Sequence, residues 1–290
     1  MDGTNALARL TDQPVLDPIA DALSRGVRGS YELAGPVGQQ VKNAVHGVWL
    51  RHPLHPVFTD VPIGAWTTGL VLDAIAARTN DPAMEQAADV AIGVGLAGAA
   101  GAAVTGLTDW SETSGRARRS GLIHGLLNIA ATSLYATAFV LRKKGARSAG
   151  QSCALVGYTI ALGAAWLGGD LVFDQGIGVS HAAVDEPESF TAVANSSDVP
   201  DGSMRRVQHG DVDLLIVRQH GQLCALAHSC AHLGGPLSEG TLKDGSVVCP
   251  WHGSEFALED GRVINGPAAH NQPCLEIRER AGRIEVKGRE

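Results

Sequence analysis

The stretch "SCAHLGGPLSEGTLKDGSVVCPWHGS", Ser229 to Ser254, carries two cysteine–histidine pairs. One residue separates Cys230 from His232, two separate Cys249 from His252, and sixteen lie between the pairs. Two thiolates and two imidazoles form a mixed donor set that suits zinc or iron–sulfur chemistry. Structural zinc sites usually draw on Cys-x-x-Cys pairs, or on two cysteines followed by two histidines. Here each loop supplies one donor of each kind. A [2Fe–2S] cluster takes such a set when the thiolates hold one iron and the imidazoles the other.

Around these loops the chain divides into a polar half and an apolar half. From Phe190 onward, short alternating runs such as "VDLLIV" (Val212 to Val217) and "LCALAH" (Leu223 to His228) are punctuated by "HGD" and "QHGQ". That pattern predicts a small all-β domain. Upstream, Val90 to Leu107 has no charge over 18 positions. Gly121 to Leu141 adds 21 broken only by His124 and Asn128, and Ser148 to Gly169 adds 22. Such lengths match a bilayer core. A weaker run, Pro56 to Ala77, is interrupted by Asp60 and Asp73. Small residues crowd the second run (Gly93, Gly95, Gly98, Gly101, Gly106), which lets helix backbones approach inside lipid. Four membrane helices are expected. Before them Val37, Val41, Val45 and Val48 share one helix face, which fits either a helix on the membrane surface or an ordinary packing helix.

The totals agree with this division. The chain has 290 residues, with Lys+Arg 23 against Asp+Glu 30, so no basic field exists to hold nucleic acid. Five scattered cysteines do not make a secreted disulfide scaffold. The opening "MDGTNALARLTDQPVLDP" lacks a basic segment followed by an apolar core, so no cleavable signal peptide is expected.

With "CAHLGGPL" and "CPWHGS" around them, Cys230, His232, Cys249 and His252 resemble the two cluster loops of a Rieske [2Fe–2S] protein. The likeness covers about Glu188 to Glu290 and includes "NGPAAH", similar to the loop whose proline, here Pro267, covers the cluster. It implies Cys230 and Cys249 on one iron and His232 and His252 on the other. Exposed imidazole edges would then be the route for electrons, and Ser254 would donate a hydrogen bond to the cluster. Quinol-oxidising members of the family carry an extra cysteine in each loop, joined by a disulfide. Here Gly234 or Gly235 and Trp251 stand there, and Phe256 replaces a tyrosine. Fewer hydrogen bonds to sulfur imply a low-potential, ferredoxin-type centre. Cys224 and Cys274 read as inert thiols on strands.

"RHPLHPVFTDVPIG" resembles the opening of an uncharacterised family of bacterial four-helix membrane domains, over about Val45 to His181. Threading four helices gathers His52, His55, Asp60, Asp109, His124, Asp170, Asp174 and His181 toward one membrane surface, the one from which the cluster domain follows. A haem b between two histidines, a quinone pocket, and a metal on histidine and carboxylate each fit this gathering, as do plain helix caps in the headgroup region. His124, about a turn inside, is the strongest single candidate.

The fold class expected is therefore multidomain, an all-α transmembrane four-helix bundle followed by an all-β Rieske iron–sulfur domain. The expected boundaries are 1–50 for an N-terminal amphipathic region, 51–181 for the bundle, 182–189 for a linker and 190–290 for the cluster domain. The expected role is an electron carrier at a bacterial inner or plasma membrane, working with a reductase, an oxygenase or an oxidase. The cluster domain is expected on the cytoplasmic side. A subunit whose bundle binds haem or quinone, and a non-catalytic redox sensor, are the alternatives. Only 38 residues follow His252, too few for a downstream oxygenase domain. Membrane lipid is an expected partner, and the glycine-rich helices suit a homo-oligomer.

Overall fold

The computed structural model of the chain describes residues 11–184 and 186–289. It contains six helices, α1 (Asp17–Leu33), α2 (Gly35–His46), α3 (Leu54–Thr79), α4 (Pro82–Ser111), α5 (Gly115–Lys143) and α6 (Arg147–Phe173). Ten strands follow. The chain forms two compact units. One comprises the described residues up to Gly35 with Leu54–Gln175; the other comprises Pro36–Pro53 with Gly176 onward. Residues 36–53, expected at a membrane surface or as a packing helix, thus group with the β-rich unit.

In the helical unit, α3 pairs with α4 and α5 with α6, and the two hairpins pack together. Asp81 caps α4 by accepting the Ala83 N–H at 2.8 Å, with Pro82 at the first helical position. Gly145, with φ of 82°, makes the left-handed turn between α5 and α6. Four of the five glycines of α4 receive a side chain from α3. Trp66 lies against Gly95, Val61 against Gly98, Phe58 against Gly101 and His55 against Gly106. A Cβ at any of the four would fall within 2.6 Å of these groups, so the hairpin closes only on glycine.

Outward faces remain apolar. Val90, Val104, Leu126, Ile129 and Leu155 are each more than half exposed. Large apolar groups lining the outside of a helical unit mark a surface made for lipid or a partner rather than water. Three helices, α4, α5 and α6, are long and apolar enough to cross a membrane. The α3 helix forms where the fourth span is expected, but its acidic residues leave it outside that set. One of them is satisfied internally. Asp73 accepts from Arg142 Nη1 at 2.9 Å and from Arg147 Nη2 at 3.1 Å, while Asp89 takes both guanidiniums at 3.2 Å. The Arg142 side chain is fully buried in this network.

The β-rich unit opens with β1 (Thr191–Asn195) and β2 (Ser203–His209) and has two sheets, ordered β1-β10-β9-β4-β3-β2 and β5-β6-β7-β8. Strand β3 (Val212–Gln219) is buried on both faces. Leu215 and Val217 point into a core shared with Cys230, Cys249 and Phe256, whereas Leu214 and Ile216 point into a second core with Val199 and Ile284. Tight hairpins set the register. His220–Gly221 joins β3 to β4 (Gln222–Ala227), and Ala281–Gly282 joins β9 (Cys274–Arg280) to β10 (Arg283–Lys287), each with two positive φ angles. Such primed turns match the twist of paired strands. The small sheet holds β5 (Thr241–Lys243), β6 (Ser246–Val248), β7 (Glu255–Ala257) and β8 (Val263–Asn265). One ligand loop follows β4 and the other joins β6 to β7.

Candidate metal centre

The two ligand loops are folded alike. In the first, the Cys230 N–H donates to Gly235 O at 2.9 Å and the Gly234 N–H to Cys230 O at 2.8 Å. In the second, the Cys249 N–H donates to Ser254 O at 2.8 Å and the Gly253 N–H to Cys249 O at 3.2 Å. Gly234 and Gly253 share a left-handed φ, 77° and 76°, at matching places. Both thiols are buried and reach one another, and the His232 and His252 rings stand 5.0 Å apart at 90°. Gly235 brings the loops together, because a Cβ there would lie 2.8 Å from Cys249 Sγ.

The electrostatics suit a metal. The hydrogen bond from the Cys230 thiol holds Cys249 down to about 7, helped by the Trp251 and His252 amides. The same bond, with burial, pushes Cys230 up, against the pull of the His232 and Leu233 amides. Each sulfur thus sits over two backbone N–H groups of its own loop, which favours the thiolate a metal requires. Burial, then the neighbouring His252, holds His232 well below its ordinary value, so the ring is the neutral donor that metals bind. Its Nδ1 is buried with no hydrogen-bond partner. An orphaned ring nitrogen among two thiols and a second imidazole fits an iron ligand.

Three supports around the loops were not foreseen from the sequence. Gln272, 1% exposed, accepts the Ala231 N–H at 2.9 Å and donates to the Ala227 and Ser229 carbonyls, each at 2.7 Å. From the other side the His181 N–H donates to Ala231 O at 3.1 Å. Asn43 of α2 accepts the Gly266 N–H at 3.0 Å, and the His46 ring lies against Gly266. The α2 segment therefore braces the loop that holds Pro267. Nothing local in the sequence signals these contacts, which cross 41 to 223 positions.

Ser254 is fully buried, and its Oγ accepts the Ala268 N–H at 3.0 Å, leaving its proton free to donate. Phe256 is fully buried and offers no hydroxyl. Trp251 is 57% exposed, with its ring 6.4 Å from His252. His46 and His181 stand near His232, so that imidazole faces residues of its own chain rather than open solvent. No disulfide forms among the five cysteines; burial raises the thiols of Cys224 and Cys274.

The membrane-side candidates divide between the units. His52 and His181 lie in the β-rich unit, and His55, Asp60, Asp109, His124, Asp170 and Asp174 in the helical one. His52 packs edge-on against His270 at 5.8 Å. Asp60 is exposed, Asp170 accepts from Gln175 Nε2 at 2.7 Å, and Asp174 pairs with Arg116 at 3.2 Å. Among the described residues no three of these groups converge to hold a bare metal ion.

Two matched loops presenting two thiols and two imidazoles from a small β domain define an iron–sulfur electron-transfer domain. The Rieske [2Fe–2S] domain family matches residues 189–276, and the Predicted membrane protein (DUF2231) family matches residues 51–181. The chain is 33% identical over 96 residues to apoptosis-inducing factor 3 of Homo sapiens, covering 33% of this chain and 16% of that protein. It is 32% identical over 97 residues to ferredoxin CarAc of Metapseudomonas resinovorans, covering 33% of this chain and 91% of that one. A solved complex of reduced oxygenase and oxidised ferredoxin in carbazole 1,9a-dioxygenase contains a chain 30% identical, covering 35% of this chain and 94% of that one, with a TM-score of 0.33. The chain spans about a sixth of the first of these relatives. It belongs to the Rieske [2Fe–2S] family through its C-terminal third, behind a region of the predicted membrane protein family.

Proposed function

We propose that this protein is a membrane-anchored, low-potential Rieske ferredoxin that passes single electrons to or from a redox protein at the membrane surface. The observation that carries this reading is the pair of like-folded loops, each giving one thiolate over two amides and one imidazole. A [2Fe–2S] cluster bound there supplies a one-electron couple. Cys230 and Cys249 would hold one iron, and His232 and His252 the other. Neutral imidazoles in place of two thiolates leave less negative charge to oppose an incoming electron. Two features keep the potential low for the family. No cysteine pair ties the loops, since Gly235 and Trp251 meet instead, and Phe256 withholds a hydroxyl from the Cys249 loop.

The exposed Trp251 beside His252 suits the docking of a partner, whereas His46 and His181 occupy the surroundings of His232. This narrows the exit expected at both imidazole edges to the His252 side. The ferredoxin likeness makes an oxygenase or a reductase the natural class of partner. Anchoring follows from the helical unit, with α3 as a fourth span whose Asp73 is neutralised by arginine. The test is analytical. Full-length protein in detergent should contain about two irons and two acid-labile sulfides per chain. Cys230→Ser or His252→Ala should remove most of both. One zinc per chain and no sulfide would contradict the reading.

A further inference from the structure

The helical unit is built twice. Three pairs on α3 and α5 stand 69 positions apart: His55 and His124, Trp66 and Tyr135, Asp73 and Arg142. The Trp66 and Tyr135 rings stack on each other at 3.9 Å and 10°, and Asp73 is the ion-pair partner of Arg142. Helices α4 and α6 repeat with an offset of 62. His55 Nδ1 bonds the Ala102 carbonyl at 3.0 Å, and His124 Nδ1 bonds the Ala164 carbonyl at 2.8 Å. The His55 ring rests on Gly106 and the His124 ring on Gly168, again 62 apart. Gly95 lies against Trp66, Gly157 lies against Tyr135 together with Leu134, and Glu85 pairs with its counterpart Arg147 at 3.2 Å. Equal offsets at so many contact-making positions mark two copies of one hairpin, α3–α4 and α5–α6. The two-fold axis relating them passes between Trp66 and Tyr135, along the helices.

This symmetry gives the two histidines a shared task. A carbonyl can only accept, so each Nδ1 carries the proton and each Nε2 keeps its lone pair. An imidazole whose other nitrogen is fixed on a backbone carbonyl is the usual form of a metal-ligating histidine. His55 Nε2 makes no hydrogen bond among the described residues, while His124 Nε2 accepts one from Asn128 Nδ2 at 3.1 Å, a bond that coordination of a metal would displace. Eleven residues at about 100° each return to within about 20° of one helix face. His55 and His124 therefore face the same axis as the Trp66–Tyr135 stack, about three turns away.

Two donors are too few for zinc or non-haem iron, which take three or four protein ligands. Among the described residues no third histidine, cysteine or carboxylate converges with them. Haem iron brings four nitrogens of its own and asks the protein only for axial ligands. We propose that His55 and His124 are the two axial ligands of a haem on the two-fold axis of the helical unit. The chain would then hold two one-electron centres. The haem site does not depend on the cluster reading, because its ligands and spectrum are separate.

The test uses full-length protein produced with added iron and δ-aminolevulinate and purified in detergent. Its pyridine haemochrome and low-temperature EPR spectra are then recorded. The expected result is about one haem per chain with a low-spin ferric signal from two imidazoles. His55→Ala and His124→Ala should each abolish that signal while the cluster's own EPR signal survives as proof of folding. Should either fail to fold, His55→Met and His124→Met keep a ligand and should shift the signal without loss of haem. Preparations low in haem are titrated with hemin. Cluster-loaded protein that neither contains haem nor takes up hemin overturns the proposal, as do histidine variants with an unchanged low-spin spectrum.

Discussion

Gln272 shows how much of the cluster site depends on one buried amide. Its Oε1 and Nε2 satisfy an N–H and two carbonyls at the first ligand loop, with the bonds to Ala231 and Ala227 buried and that to Ser229 partly so. Leucine fills a similar volume but leaves those groups unpaired, at about 1–3 kcal/mol for each group stranded. Gln272→Leu strands three groups and should therefore lower stability by at least about 3 kcal/mol. Denaturant unfolding followed through the cluster's visible absorption checks this, and a change under about 0.5 kcal/mol would contradict it. Glu255 is expected to contribute to the acid stability of the same unit. Burial alone would raise its carboxyl, but hydrogen bonds from Ser246 at 2.7 Å, Asn265 at 2.8 Å and Lys243 at 3.3 Å hold it below the usual range. A depressed folded value means the carboxylate stabilises the fold above its unfolded value, and that this is lost as pH falls through the folded value. Glu255→Gln should flatten the fall of the melting temperature below about pH 4.5. An unchanged acid limb would show that other carboxylates govern it. The four candidate ligands, Cys230, His232, Cys249 and His252, could be picked out in sequence because donor type and spacing are local properties. Gln272, Asn43 and His46 could not, since their roles arise only when distant segments meet.

The two ligand loops and the two helical hairpins are each pairs of like elements, and the sequence displays them unequally. In the loops the cysteine, histidine and glycine recur, so the likeness is visible. In the hairpins the partners diverged, Asp73 facing Arg142 and Trp66 facing Tyr135, so identity was lost while contact was kept. The apolar runs did announce α4, α5 and α6, because uncharged length is a sequence property. The glycines of α4 were read as permitting close approach, and the structure shows what approaches, namely Phe58, Val61, Trp66 and His55. The charge network at the far end is predicted to lock the hairpins together. Arg142→Met leaves the two buried carboxylates, Asp73 and Asp89, to share Arg147 alone, which should cost up to about 3–5 kcal/mol. Arg142→Met with Asp73→Leu should recover much of that loss, since buried pairs are often replaceable by apolar groups of similar volume. Thermal unfolding in detergent, followed by circular dichroism, measures both. Equal melting temperatures for the single variant and the parent would show that the network contributes nothing.

Taken as one molecule, the chain joins a lipid-compatible helical unit to a cluster-binding β unit by crossing between them at Gly35–Pro36, Pro53–Leu54 and Gln175–Gly176. The order of apolar and β-rich halves was legible from composition alone. The assignment of residues 36–53 to the β-rich unit was not, because an amphipathic helix shows that it packs without showing on what. That assignment gives Asn43 a use. Asn43→Ala should loosen the loop that holds Pro267, and faster loss of the cluster's visible absorption under oxygen would report it; parent-like decay would contradict it. The central claim is a Rieske cluster of low-potential type. It is met most directly by an EPR-monitored redox titration of the full-length protein in detergent. The expected result is a reduced [2Fe–2S] signal from mixed cysteine and histidine ligation, with a midpoint near the lower end of the about −150 to +300 mV spanned by such centres. A midpoint near the upper end, or no such signal in iron-loaded protein, would contradict it.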